Sequence, residues 1–351
     1  MTRLFMDRVY KPWHWLGFRR HPVTVGIASL AVFAGVAVGF AYLAGEGKVL
    51  DHIGTMNVPW LSVCVLAEIV AYLGYVLAVH ETARVDGGPR LGLMKSAHVV
   101  AAGFGAFFAA TAAGGFEVDY WALRRAGASR RDALCRVLGL GTLEYAILAP
   151  AALGAALALL AGAGRHTYPQ LTLPWLAVIP GTAFAVWATS PKRRRRLERT
   201  EGRGRIRTAF GHAVGGLGIL RRLVTKPLPH GGLALFGTSV YWFGEMLCLW
   251  AALRAFQVDI QIPALILAYA TGYVVTRRAL PAGGVGVAEI MLTFALTWVG
   301  VPFAPALLGV LTYRLFNYWL ALLPALAVSS RVREMREGIA AADRELARER
   351  G

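Results

Sequence analysis

The chain has 351 residues, 56% of them hydrophobic and only 16% charged, with a formal net charge of +17. Soluble domains carry about 25% charged residues, so this composition excludes an ordinary soluble fold and points to an integral membrane protein. The cations sit between apolar segments, which fits positive-inside topology and an anionic lipid surface and argues against nucleic acid.

The N-terminal segment 1–22 is basic and reads as cytoplasmic. The apolar run from about Val23 to Ala44 is too long for a signal-peptide core and reads as a retained first membrane helix. Val58–His80 is the next span, with Glu68 near its centre. Leu91–Ala113 follows, then Gly114 and Gly115, then FEVDYWALRRAG, a piece too short to cross alone. Ala133–Ala161 holds Arg136 and Glu144; for Arg136, near a cytoplasmic end, snorkelling to the interface is one expectation. Pro174–Ser190 is a shorter apolar segment.

Composition then changes sharply. The region 191–231 opens with PKRRRRLERTEGRGRIR, a cytoplasmic loop by its Lys/Arg excess. Thr208 to about Val224 is Gly-rich and weakly amphipathic, and is expected to lie on the interface. Leu233–Phe256 is a span carrying Glu245, and Ile262–Leu280 carries Arg277 and Arg278. Val285–Val301 and Ala304–Ser329 complete the apolar part, the latter holding Arg314. The tail 330–351 is charged and expected in the cytoplasm.

Between two of these segments lies Pro281–Glu289, reading PAGGVGVAE. Proline cannot donate a backbone hydrogen bond and glycine weakens a helix, so Pro281, Gly283, Gly284 and Gly286 should break one. Lipid cannot satisfy the freed backbone groups, so such a break belongs where protein or a polar cavity covers it. Glu289 puts a carboxylate at the same place.

Two portions of the chain match in order. GFGAFFAATAAGG from Gly103 parallels GYVVTRRALPAGG from Gly272. In the stretches beginning at Gly127 and Gly300, the pairs Ala133-Leu134 and Ala306-Leu307 fall in register, as do Val137-Leu138 with Val310-Leu311 and Tyr145 with Tyr318. Each copy is preceded by a span with a central glutamate, Glu68 or Glu245. Basic loops orient the copies oppositely in the membrane. The expected fold is all-α: a polytopic helical membrane protein of about six to eight spans plus broken or re-entrant helices. Its two inverted-topology repeats cover about 58–161 and 233–329, within a transmembrane domain 23–329.

Ionisable residues inside a membrane are functional candidates by default. The substrate-binding candidates are Arg277, Arg278, Arg314, Glu289, Asp119, Glu245, Glu68 and Glu144, with Gly114, Gly115, Pro281, Gly283, Gly284 and Gly286 as broken-helix backbone. The planar fork of Arg314 suits either a phosphate or a carboxylate such as Glu289. Trp60, Trp175, Trp187 and Trp298 lie near span ends, as interface anchors do, and Tyr241, Trp242 and Trp250 read as lipid or packing contacts. Cys64, Cys135 and Cys248 lie in apolar segments without CxxC spacing, so neither a disulfide framework nor a zinc site is expected. No Walker A, HExxH, GxSxG or acyltransferase His/Asp pattern occurs, so neither an enzyme activity nor a metal or other cofactor is expected.

Pro281, Gly283, Gly284, Gly286 and Glu289, then Gly300-Val301-Pro302, then Tyr313-Arg314, resemble the C-terminal signature of the lysylphosphatidylglycerol synthase transmembrane (flippase-like) family. Gly114, Gly115, Asp119 and Gly127 resemble its N-terminal signature. The resemblance implies an inner-membrane protein that moves phospholipids, aminoacylated ones among them, or polyprenyl-type lipids between leaflets. It implies membrane lipids as partners and a separate lipid-modifying enzyme, since no soluble transferase domain is expected in this chain, while the basic terminal segments place both termini in the cytoplasm. Where an acid–arginine pair is expected in the first copy, the chain reads Glu144-Tyr145. The alternatives are a secondary transporter of a water-soluble anion and a membrane enzyme acting on lipid head groups.

Overall fold

The apolar segments fold as helices, and no strand occurs among the described residues. The structure is a computed structural model that describes residues 53–109, 112–162, 168–190, 205–225, 230–274 and 284–320, with isolated helical positions between 31 and 42. Arg277, Arg278, Pro281 and Gly283 lie outside the described residues, as do the tail and most of the first expected helix.

In chain order the helices are α1 (Pro59–Arg84), α2 (Leu93–Ala109), α3 (Ala112–Arg125), α4 (Arg130–Leu160), α5 (Val178–Ala188), α6 (Arg205–Thr225), α7 (His230–Ala255), α8 (Ile262–Tyr269), α9 (Val287–Trp298) and α10 (Phe303–Arg314). Two π-helical turns extend them, Ala270–Val274 after α8 and Leu315–Leu320 after α10. Among the described residues, four stretches are long and apolar enough to cross a bilayer: Pro59–Gly87, Arg130–Leu160, Pro169–Ala188 and Gly231–Ala255. The protein is a multi-pass, all-α membrane protein. By contrast α9, with 12 residues, is about 18 Å long at 1.5 Å per residue, too short for a hydrocarbon core of about 30 Å.

The packing core is the pair α1 and α7, which have the most extensive contact of any two helices. They run antiparallel. Gly74 of α1 sits against the backbone of Gly237 and Tyr241, while Gly244 of α7 sits against that of Ala67 and Ala71. A Cβ on Gly74 would lie 2.6 Å from the Tyr241 nitrogen, so only hydrogen fits where the two backbones meet. Small residues do this work in membranes, where close packing replaces the hydrophobic drive. Glu68 and Glu245 fall at matching positions on this antiparallel pair.

Contacts fix the other directions. Arg136 of α4 meets Thr82 and Ala83 near the end of α1, while Glu144 meets Tyr75 farther up, so α4 opposes α1. Leu253 of α7 packs on Gly309 of α10, while Glu245 meets Tyr313 and Asn317, so α10 opposes α7. It follows that α4 and α10 also oppose each other.

The turns that open those two helices are alike. Gly127 (φ 97°) and Gly300 (φ 92°) both take the left-handed region. In each case the next residue's N–H reaches back to close the preceding helix, Ala128 to Leu123 O at 3.0 Å and Val301 to Leu296 O at 3.1 Å. This is a Schellman closure, and its glycine position admits no Cβ without strain.

One expectation needs correction. The segment expected at the interface, now α6, packs along α4. Gly215 and Gly216 come against Cys135 and Leu138, and Val214, Ile219 and Leu223 are buried. Its glycines remove the bulk that would hold it away from α4. Gly114 and Gly115, expected as broken-helix backbone, lie in the first turn of α3, shortly after α2 ends at Ala109. First-turn N–H groups lack helical partners in any case, so glycine there costs little.

Candidate functional site

The second half of the chain brings Glu245, Glu289 and Arg314 together in its buried interior. Arg314 closes α10 and Glu289 is the third residue of α9. These helices join through Gly300, and each is 12 residues long. Both side chains therefore sit about 15 Å from that turn, roughly half the thickness of a hydrocarbon core. Arg314 Nε donates to Glu289 Oε1 at 2.6 Å, and both side chains are 0% exposed. The other carboxylate oxygen, Oε2, accepts the N–H of Gly286 at 2.6 Å. Gly286, with φ 89°, caps α9, so Glu289 satisfies an N-terminal backbone donor from within the helix it starts. The Arg314 guanidinium lies over the Tyr318 ring at 4.3 Å. Of the two partners that the sequence offers Arg314, phosphate or carboxylate, the structure shows the carboxylate.

Glu245 forms a second buried polar group beside the first. Its Oε2 accepts from Tyr269 (3.1 Å), from Tyr313 through a short hydrogen bond, and from Asn317 Nδ2 at 2.7 Å. Asn317 also reaches Oε1 at 2.7 Å. Tyr313 and Asn317 are one turn apart on one face and flank Arg314, so α10 serves both carboxylates. Tyr269 is the last residue before one π-helical turn, and Arg314 the last before the other. Such turns displace side chains from regular helical register and recur at functional sites. Tyr269 and Asn317 are absent from the sequence-derived candidates. The signal for them in the sequence is the spacing Tyr313–Asn317 around Arg314 in an otherwise apolar run.

The first half is built differently. Glu144 is buried and accepts from Tyr75 at 3.0 Å, while its backbone carbonyl accepts from Trp242 Nε1 at 2.8 Å. Glu68 is half-buried, one turn beyond Cys64 and beside the Cys248 thiol. Arg136 does not snorkel. It is buried, pairs with Asp132 at 2.8 Å, and donates to the carbonyls of Thr82 (3.1 Å) and Ala83 (2.9 Å) that close α1. Those carbonyls have no helical donor, so the guanidinium acts as a cap. Asp119 is 8% exposed and lines a small cavity with Thr82 and Arg136. The structure therefore brings Glu245, Glu289 and Arg314 together around α10, while Glu144 and Asp119 lie in separate surroundings on the first half.

Several aromatics also have defined roles. Trp175 donates to Thr271 at 3.0 Å, joining the stretch before α5 to the π-turn after α8. Tyr241 and Trp242 are buried in the core, whereas Trp187 and Trp298 stay exposed as anchors do. Among the described residues no cluster of three or more metal-ligating side chains occurs.

A capped, charge-paired half-helix beside a second buried carboxylate is what the C-terminal motif residues build. The family model for the lysylphosphatidylglycerol synthase TM region matches residues 26–325. The chain belongs to this family. The match spans both halves of the helical domain, including Glu68, Glu144, Glu245, Glu289 and Arg314. No curated protein matched the chain.

Proposed function

We propose that the protein moves a phospholipid or polyprenyl-type lipid between the leaflets of the bacterial inner membrane. The observation that carries this reading is the fully buried Arg314–Glu289 pair, where a helix too short to cross begins. Buried ion pairs recover their desolvation cost poorly, and hydrophobic replacements of equal volume are often as stable. A fixed pair in this position is therefore better suited to ligand exchange than to bracing alone.

In this reading the two halves are inverted repeats. Support comes from the opposed directions of α1 and α7 and of α4 and α10, together with the like turns at Gly127 and Gly300. Basic residues cluster where α1 and α3 end and α4 begins, at Arg84, Arg124, Arg125, Arg130 and Arg131. That end is assigned to the cytoplasm, with both termini on the same side. The head-group phosphate displaces Glu289 from Arg314, with Arg277 and Arg278 adding positive charge. Glu289 and Glu245 then face a cationic head group or take up a proton, and the acyl chains stay in lipid. Rocking of one half on the other, about the glycine contact of α1 and α7, exposes the site to the opposite leaflet. The domain itself modifies no lipid, and a separate enzyme supplies any aminoacylated substrate.

Purified protein in proteoliposomes with a fluorescent phospholipid tests this. Protein-dependent loss of leaflet asymmetry is expected. Counterflow of a soluble anion without head-group dependence, or a changed lipid mass after incubation, would replace the reading with an anion transporter or an enzyme respectively.

A further inference from the structure

Because α1 and α7 run antiparallel, the last turn of α7 lies beside the first turn of α1, at the opposite end of α1 from Arg84 and its basic neighbours. Each helix has 26 residues. That is about 39 Å, longer than a hydrocarbon core of about 30 Å, so these ends reach the head-group region. The junction is closed by hydrogen bonds: the Asn57 N–H donates to Ala255 O at 2.8 Å, and Gln257 Nε2 to Thr55 O at 3.2 Å.

Three side chains converge there. Trp60 of α1 and Trp250 of α7, both half-buried, stand edge to face with ring centroids 5.1 Å apart and planes at 89°. The Arg254 guanidinium lies 5.9 Å from the Trp60 ring and 5.7 Å from the Trp250 ring. Arg254 Nη1 donates to Asp259 Oδ1 at 2.9 Å. Among the described residues this is the only hydrogen bond that the Arg254 side chain makes, so most of its N–H groups are left for another acceptor. The Arg254 side chain is 34% exposed and that of Asp259 92%. An exposed ion pair of this kind contributes little to stability, and the positive-inside bias gives no reason for a cation on this side. Two indoles and a carboxylate nevertheless hold the planar fork in one place, which suits it to recognition.

We propose that Trp60, Trp250, Arg254 and Asp259 bind the head group of a zwitterionic phospholipid in the leaflet away from the cytoplasm. The remaining guanidinium N–H groups take the phosphodiester oxygens, a pairing that favours two parallel hydrogen bonds. The Asp259 carboxylate, open to water beside the guanidinium, takes the head-group ammonium. The indoles sit at head-group level, as tryptophans at a membrane interface do. An anionic lipid without the ammonium meets the Asp259 charge and binds less well. Arg254 follows Glu245 by nine residues on α7. That is about 14 Å along the helix, so this site is separate from the Arg314 group. The assignment rests on the chain's place in the membrane and not on lipid transfer.

Native mass spectrometry of the purified full chain tests it, with phosphatidylethanolamine, phosphatidylglycerol and diacylglycerol offered in equal amounts. Wild type should retain phosphatidylethanolamine best and diacylglycerol least. Arg254→Gln should lower phosphatidylethanolamine retention about tenfold, the equivalent of one charge-assisted hydrogen bond, and Arg254→Lys should recover only part. Asp259→Asn should lower retention of phosphatidylethanolamine but not of phosphatidylglycerol. The same measurements in an Arg314→Met, Glu289→Gln background read this site with the central pair removed. Both residues lie at the surface, so the unfolding midpoints should stay near wild type. Unchanged retention in Arg254→Gln in that background overturns the proposal, as does an equal loss of both phospholipids in Asp259→Asn. Equally strong binding of water-soluble glycerophosphoethanolamine would make the ligand a soluble phosphodiester and overturn the lipid assignment.

Discussion

Arg314 and Glu289 meet through a 2.6 Å hydrogen bond with neither side chain exposed, one closing α10 and the other opening α9. The pair ties together the two short helices that leave the turn at Gly300. It also caps α9 through the Gly286 N–H. Removing either partner leaves an uncompensated charge in a low-dielectric interior. Arg314→Ala or Glu289→Ala is expected to cost about 3–5 kcal/mol, while the volume-conserving double change Glu289→Gln with Arg314→Met, which leaves no unpaired charge, should cost less than either single change. Thermal unfolding of the detergent-solubilised protein reads both.

The packing of α1 on α7 gives a second expectation. Replacing Gly74 with alanine puts a methyl group 2.6 Å from the Tyr241 nitrogen and 2.7 Å from the Gly237 oxygen, which are both backbone atoms. Neither can rotate away, so the helices must separate. The cost should be about 1–3 kcal/mol, with Gly237→Ala comparable. A methyl group on Gly154 would meet nothing within 4 Å, so Gly154→Ala serves as the control and should not lower the unfolding midpoint.

Asn317 and Tyr313 hold Glu245. Tyr313→Phe deletes one hydroxyl donor to a buried carboxylate and should cost roughly 1.5–3 kcal/mol. Asn317→Leu removes the contacts to both carboxylate oxygens and should cost at least as much. If Glu245 serves lipid movement, Tyr313→Phe will also change transfer rates at temperatures where the protein is fully folded. Parallel unfolding and transfer measurements separate the two effects.

Arg136 caps α1 from a neighbouring helix. Arg136→Ala frees the Thr82 and Ala83 carbonyls and should lower the unfolding midpoint, with Arg136→Lys recovering part of the loss through one remaining donor. Asp132→Ala should be milder, because Asp132 is partly exposed and such ion pairs contribute at most about 1 kcal/mol.

Much of this architecture is legible in the residues. The apolar runs mark α1, α4 and α7 to within a few residues, because a bilayer demands a length that few other patterns satisfy. Gly127 and Gly300 read as equivalents, since a left-handed helix closure requires glycine at both. Glu289 and Arg314 stand out because charge in an apolar run is rare. Other features depend on three-dimensional proximity. Arg136 has the sequence position of a side chain bound for the interface, and only the arrival of α1 beside α4 makes it a cap. The α6 segment has an interfacial pattern, because amphipathicity does not reveal whether an apolar face meets lipid or a neighbouring helix. Tyr269 and Asn317 are ordinary in sequence and gain their role from converging on Glu245 from two different helices.

The most direct test of the account is lipid transfer by the Glu289→Gln, Arg314→Met double variant in proteoliposomes. It is to be measured at a temperature where its unfolding curve matches that of the wild type. If the buried pair exists to exchange partners with a head group, this folded variant loses transfer. Wild-type transfer rates in the same variant would contradict the claim and leave the pair as a brace between α9 and α10.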